Sequence, residues 1–316
     1  MKAAIEKVLN MSVCAMPSRF RNYYYYQLLR HIAFPEIVHI ESTNACNAKC
    51  IMCARDTMQR NVGFMDFYLF RKTIDECSRH RELKEVHLHG FGEPLLDRML
   101  IDRIRYAKAN KIKKVYFVTN ASLLNEDYSR ELLKSGIDMI KFSVYGNSAH
   151  TYEAIHRGLK FNSVENNILS FLDARKKMGY RKPSIKIQFL PQEINEHERP
   201  VFVNKWSLLI DKTRGDSIEV FPIHNWIYGK SYHNQGESKG RLRRSCGIPF
   251  VSLQMLWNGD ITACCYDYEG KMKFGNLNNM TISEVWNSEK FRQFRGFHRS
   301  AKFEKLNVCN VCDQLR

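Results

Sequence analysis

The chain has 316 residues, 44% hydrophobic and 12% aromatic, which is enough for one large α/β domain or for a domain of about 200 residues with an appendage. Its 49 Lys and Arg against 33 Asp and Glu leave a formal charge of +16, which favours anionic partners, although the basic residues fall into separated groups of the kind that solvated helix faces carry. The composition excludes a disordered chain, and no window approaches the roughly 18 uninterrupted apolar residues that span a bilayer. Glu6, Lys7, Asn10 and Arg19 break up the apolar stretch near the N-terminus, so the ten cysteines read as thiols of a reducing cytoplasm rather than as disulfides.

Residues 1–35 read as one or two helices ending near Pro35, with a tyrosine run at 23–26 beside Arg19, Arg21 and Arg30. That segment is expected to pack against the outside of the following domain. Tyrosines with arginines also suit a headgroup layer, so a peripheral membrane contact or a lipid-linked substrate is a further expectation. From residue 36 to about 222, strand and helix alternate: strands at 37–41, 85–89, 114–119, 139–144, 184–190 and 217–221, and helices at 66–79, 96–109, 126–134, 163–178 and 198–209. Six βα units imply parallel strands with right-handed crossovers, that is, a curved sheet or partial barrel, and ligands of such folds collect at the carboxyl ends of the strands. Residues 229–244, rich in Gly, Ser, Asn and basic side chains, read as a linker or lid.

The first strand leads into Glu41-Ser-Thr-Asn-Ala-Cys46-Asn-Ala-Lys-Cys50-Ile-Met-Cys53. Three thiolates on one loop hold three corners of a cubane iron–sulfur cluster and leave the fourth iron open; a zinc site with His39 or a distant cysteine is the alternative. The CxxxCxxC loop resembles that of the radical SAM superfamily. The resemblance implies that Cys46, Cys50 and Cys53 ligate a four-iron cluster whose open iron is chelated by S-adenosylmethionine, with Met52 among the cofactor-binding residues. It extends along the chain. Gly90-Phe-Gly92-Glu93-Pro after the second strand is similar to the family's GGEP turn, which implies that Gly92 and Glu93 bind the methionyl amino group. Thr119-Asn120, followed by Ala121-Ser-Leu-Leu, is similar to TNG-x-LL, and Ser143 before Val144-Tyr145-Gly146 keeps a hydroxyl where relatives show S-x-D-G. By the same resemblance Arg157 meets the SAM carboxylate, and Gln188 faces the barrel interior if Ile187 and Phe189 face outward.

Beyond the linker, Cys246 is followed by 12 residues, Gly259, four residues and Cys264, and later by Cys309-x2-Cys312. This resembles the SPASM and twitch appendages of the same superfamily. Four thiolates close one four-iron cluster completely, so electron transfer is its expected use; a four-cysteine zinc ribbon fits the same count. Cys265 is placed to exchange with Cys264. The expected architecture is thus α/β, a partial (β/α)6 TIM-like barrel over 36–222, with a small SPASM/twitch α+β domain over 223–316.

The resemblance implies a SAM-dependent oxidoreductase with two four-iron clusters and a flavodoxin or ferredoxin as reductant. The leading reading is two-electron oxidation of an alcohol in a sugar, aminosugar or cyclitol, the substrate being small and anionic or lipid-linked. Asp267 and Cys265 are the candidates for the catalytic proton acceptor, with His224 and Tyr266 as substitutes. Radical modification of a peptide is the alternative, set back by the roughly 35 residues before the first strand, short of a leader-binding domain. RNA modification or nucleic-acid binding is motivated by the charge alone, and no nucleic-acid-binding module accompanies it, so no nucleic-acid partner is expected.

Overall fold

The computed structural model describes residues 32–223, 246–310 and 312. The tyrosine run at 23–26, His224 and the whole of the 229–244 linker lie outside these residues. Within them are strands β1 (Ile37–Ile40), β2 (Glu85–His87), β3 (Lys114–Thr119), β4 (Met139–Ser143), β5 (Ser184–Phe189) and β6 (Ser217–Val220), all paired in parallel in chain order. Helices α1 (Phe67–Ser78), α2 (Leu100–Ala109), α3 (Glu126–Lys134), α4 (Ala149–Ile155), α5 (Phe161–Lys177) and α6 (Arg199–Leu209) make the crossovers. This is the expected partial TIM-like barrel, with α4 as an added short helix. No described helix is long and apolar enough to cross a membrane.

The helices start where the chain supplies caps. Asp66 accepts from the Tyr68 and Leu69 amides at the start of α1, and Asn125 accepts from the Tyr128 amide at the start of α3. Their apolar faces meet the sheet in one core: Phe70 and Ile74 of α1, Leu132 and Leu133 of α3, and Phe171 of α5 are buried against Val38, Val86, Phe117 and Phe142. Arg175 of α5 donates through both terminal nitrogens to Asp216 at 2.8 and 2.5 Å, and the Asp216 carboxylate also accepts the Ile185 amide, locking the last crossover.

The tail continues the sheet rather than standing apart from it. β7 (Ser252–Met255) pairs in parallel with β1, β8 (Asp260–Thr262) turns back antiparallel to β7, and β9 (Lys273–Asn276) extends the edge. The nine-stranded order is therefore β9-β8-β7-β1-β2-β3-β4-β5-β6. Gly259 sits in the β7–β8 turn at φ +89, and a Cβ there would meet Asn278 Nδ2 at 2.8 Å and Asn276 Oδ1 at 2.9 Å, which explains a glycine at that position of the tail motif. Polar ties bind tail to barrel: Lys72 Nζ donates to the Leu277 carbonyl at 2.7 Å, and the Glu76 carboxylate accepts the Ile282 and Ser283 amides at 2.7 and 2.8 Å, at the positive end of the helix Ile282–Trp286.

Candidate active site

A cleft of about 390 Å³ opens at the carboxyl ends of the barrel strands. The loop after β1 brings Cys46, Cys50 and Cys53 to its wall, and side-chain hydrogen bonds tie the start of the loop to its neighbours. Thr43 and Asn44 are buried; Thr43 Oγ1 donates to the Gly63 carbonyl at 2.7 Å, and Asn44 donates to the Asn61 carbonyl at 2.9 Å while accepting the Gly63 amide at 2.8 Å. These side chains replace ladder partners that an irregular buried loop lacks. Glu41, wholly buried, pairs with Arg60 at 2.6 and 2.7 Å and accepts the Phe91 amide, so one carboxylate ties the cysteine loop to the glycine turn.

The glycine turn owes its composition to that contact. A Cβ on Gly92 would lie 2.4 Å from the Thr43 carbonyl oxygen and 2.6 Å from that of Ala45; on Gly90 it would meet the Glu41 side chain at 2.6 Å. Gly92→Ala therefore pushes backbone against backbone, and we expect it to cost about 1–3 kcal/mol by overpacking and to shift the cysteine loop. Thermal unfolding together with iron content checks this: both fall if the contact is as tight as drawn, and an unchanged variant contradicts it.

Glu93 is buried, and its carboxylate accepts from Thr119 Oγ1 at 2.6 Å, the Asn120 amide at 2.8 Å and the Leu95 amide at 3.0 Å. Burial pushes its carboxyl up to about 7 despite these bonds, which lower it. A ligand ammonium beside it would favour the charged form. Asn120, Ser143, Gln188 and Met52 also line the cleft. Gln188 lines the cleft while Ile187 and Phe189 are buried in the core, which decides the face that alternation left open; its amide donates to Glu219 at 3.1 Å, and Tyr145, at the acid position of the S-x-D-G pattern, donates to Ser143 Oγ at 3.2 Å. Ala121, at the glycine position of the TNG-like motif, adopts a left-handed φ of +59.

Two expected site residues are not brought to the cleft. Arg157 is exposed; the two-residue bridge Lys49–Cys50 with His156–Arg157 turns its neighbour inward instead. His156 lines the cleft with Nδ1 3.1 Å from Cys50 Sγ, and in the tautomer with the proton on Nδ1 it donates to that sulfur. Burial pushes its pKa down to about 3, so it is neutral. Asp267 is fully buried on the tail side, its two oxygens accepting the Lys271 and Met272 amides at 3.0 and 2.8 Å. It braces a turn and does not face the cleft, whereas Cys265 and Tyr266 do.

In the tail, Cys246, Cys264, Cys309 and Cys312 line one small hollow together with His298, whose Nε2 is 3.5 Å from Cys309 Sγ. Cys264 faces this hollow and Cys265 the cleft, while Tyr266 borders both. Both sulfur sets suit iron–sulfur clusters. Burial pushes Cys46 up to about 11, and Cys50 and Cys309 higher, so as bare thiols they stay protonated; a cationic cluster draws out thiolates. An all-sulfur donor set selects soft iron–sulfur or zinc rather than a hard cation.

Residues 40–196 match the radical SAM superfamily, and residues 246–313 match SPASM, an iron–sulfur cluster-binding domain. Among curated proteins, the chain is 24% identical over 321 residues to the tungsten-containing aldehyde ferredoxin oxidoreductase cofactor-modifying protein of Pyrococcus furiosus, covering 87% of each. It is 20% identical over 282 residues to the S-adenosyl-L-methionine-dependent 2-deoxy-scyllo-inosamine dehydrogenase of Niallia circulans, covering 88% of this chain and 93% of the other. Among solved structures it is similar to BtrN in complex with AdoMet and 2-DOIA, with TM-score 0.58 and 18% identity over 88% of this chain and 92% of that one. It is also similar to Streptococcus suis SuiB bound to precursor peptide SuiA, with TM-score 0.61 and 14% identity over 93% and 74%.

Proposed function

The chain belongs to the radical SAM superfamily and carries a C-terminal SPASM iron–sulfur domain, and from that premise we propose that it catalyses two-electron oxidation of a secondary alcohol in a cyclitol, aminosugar or sugar. Its cofactors are S-adenosylmethionine and two four-iron clusters. When bound and reduced, the first cluster with S-adenosylmethionine supplies a 5′-deoxyadenosyl radical that removes a hydrogen atom from the substrate carbon.

The chain's own residues supply placement and an exit for the second electron. Cys46, Cys50 and Cys53 hold the first cluster, with His156 Nδ1 3.1 Å from the Cys50 sulfur; Glu93 carries the charge that suits the methionyl ammonium, and Asn120, Ser143 and Gln188 offer polar atoms to the rest of the cosubstrate. Cys246, Cys264, Cys309 and Cys312 hold the second cluster. The observation that carries the reading is the shared wall: Cys264 lines the tail hollow, Cys265 the cleft, and Tyr266 both. An alcohol that has lost a carbon-bound hydrogen atom releases a proton and one electron in becoming a ketone, and this wall gives the electron a short route to a cluster with no open iron. Of the two expected proton acceptors, Cys265 alone reaches the cleft. The similarity to the S-adenosyl-L-methionine-dependent 2-deoxy-scyllo-inosamine dehydrogenase, over 88% of this chain, supports this substrate class. The reductant for the first cluster is a flavodoxin or ferredoxin, and the +16 charge suits an acidic carrier of that kind.

Radical modification of a peptide is the second reading, favoured by the likeness to SuiB bound to its precursor peptide. Tracing the abstracted hydrogen from labelled alcohols separates the two, because only oxidation leaves a ketone.

A further inference from the structure

Three imidazoles with no part in the proposed reaction converge at the cleft wall. His39 on β1 lies in register with His87 on β2, and His89 follows His87 by two residues on the same face. His39 Nδ1 and His87 Nδ1 are 3.1 Å apart, and one nitrogen from each of the three rings falls within 4.8 Å of the others. We propose that His39, His87 and His89 form a binding site for a divalent transition-metal ion of the zinc class, separate from both iron–sulfur sites.

The geometry around the trio supports a metal rather than a hydrogen-bonded pair. Glu85 Oε2 is 2.9 Å from His87 Nε2, which fixes the proton on Nε2 and turns the Nδ1 lone pair toward the other two rings; Lys114 in turn holds the second Glu85 oxygen at 3.0 Å. A carboxylate behind a ligating histidine is the usual outer partner of such sites. A simple His39–His87 hydrogen bond explains the 3.1 Å contact but not His89, whose buried Nδ1 has no hydrogen-bond partner among the described residues. Tetrahedral zinc with nitrogens at about 2.0–2.1 Å sets neighbouring ligand atoms roughly 3.3 Å apart, close to the His39–His87 distance, and a ring rotation of His89 completes the set. Burial holds all three rings neutral, His39 at about 4 and the others well below their usual value, so their lone pairs are available near neutral pH.

His39 and His89 line the same cleft as the three cysteines, while His87 sits behind them. Three protein ligands leave an open coordination position, as in catalytic rather than structural zinc sites, and here that position faces the cleft, where it takes water or a substrate oxygen. The metal site does not depend on the oxidation reading: the ion binds whether the substrate is a cyclitol or a peptide.

The test uses anaerobically reconstituted full-length protein equilibrated with zinc alone, with zinc and iron measured in the same sample. We expect one zinc per chain beside about eight irons, with an X-ray absorption spectrum at the zinc edge showing an imidazole and oxygen shell at about 2.0–2.1 Å and no sulfur at about 2.3 Å. His89→Ala and His39→Ala lose the zinc and keep the iron, and Glu85→Gln weakens zinc binding by about 10–100-fold. If a histidine variant also loses iron, the wild-type spectrum decides. Wild-type protein that retains no zinc, zinc with sulfur in its shell, or zinc unaffected by His89→Ala in a variant that keeps its iron overturns the proposal.

Discussion

Replacing Cys46, Cys50 and Cys53 together by alanine leaves about four irons per chain of the wild-type eight and abolishes cleavage of S-adenosylmethionine. The loss is expected to be complete because the open iron held at that loop is the one the cosubstrate chelates, and the neighbouring side chains supply no replacement: His156 is a neutral imidazole, and the histidine trio on β1 and at the end of β2 offers no thiolate. The fold should survive, since the loop is pinned by Thr43, Asn44 and the Glu41–Arg60 pair, whose partners do not include the sulfurs. Iron and sulfide analysis with a 5′-deoxyadenosine assay reads both effects. Residual cleavage at wild-type rate would place the first cluster elsewhere.

The second large effect is expected in the tail. Replacing Cys309 and Cys312 by alanine removes half of one ligand set and should uncouple the reaction: 5′-deoxyadenosine still forms, but ketone is lost because the substrate's second electron has no acceptor. Cluster ligation also contributes to folding, so the variant must first be shown to keep the first cluster and to bind S-adenosylmethionine. The apolar packing of Phe291, Phe294 and Trp286 and the Glu76 and Lys72 ties give the tail support independent of the metal. Equal ketone yield from a variant verified to lack the second cluster contradicts an electron-acceptor role.

Much of this is legible in the sequence, for local reasons. Cysteine spacing, the Gly-x-Gly-Glu-Pro turn and alternating strand and helix patterns are short-range signals, and every barrel strand falls within two residues of its expected bounds. Side-chain direction in loops is not. Nothing in the run Ile155-His-Arg-Gly158 tells which of His156 and Arg157 turns inward; the bridge to Lys49–Cys50 decides it. Asp267 and Cys265 are two residues apart, yet a tight turn sends one to brace the Lys271 and Met272 amides and the other to the cleft. Long-range pairing is equally hidden. That β7 joins β1 across more than two hundred residues, and that His39 meets His87 in register, are properties of the assembled sheet. With the register known, the H-x-H alternation at 87 and 89 becomes a signal; without it, these are histidines in a strand.

The central claim, that the cleft oxidises an alcohol, is tested most directly by isotope transfer. Anaerobic holoenzyme is incubated with S-adenosylmethionine, reductant and a panel of cyclitols and aminosugars deuterated at each carbinol carbon, beginning with 2-deoxy-scyllo-inosamine, with deuterated peptides in parallel. Alcohol oxidation places deuterium in 5′-deoxyadenosine from one of the alcohols, with a ketone product that has lost the carbinol deuterium and the hydroxyl proton. Deuterium arriving only from a peptide, or from an alcohol whose product carries no new carbonyl, contradicts it.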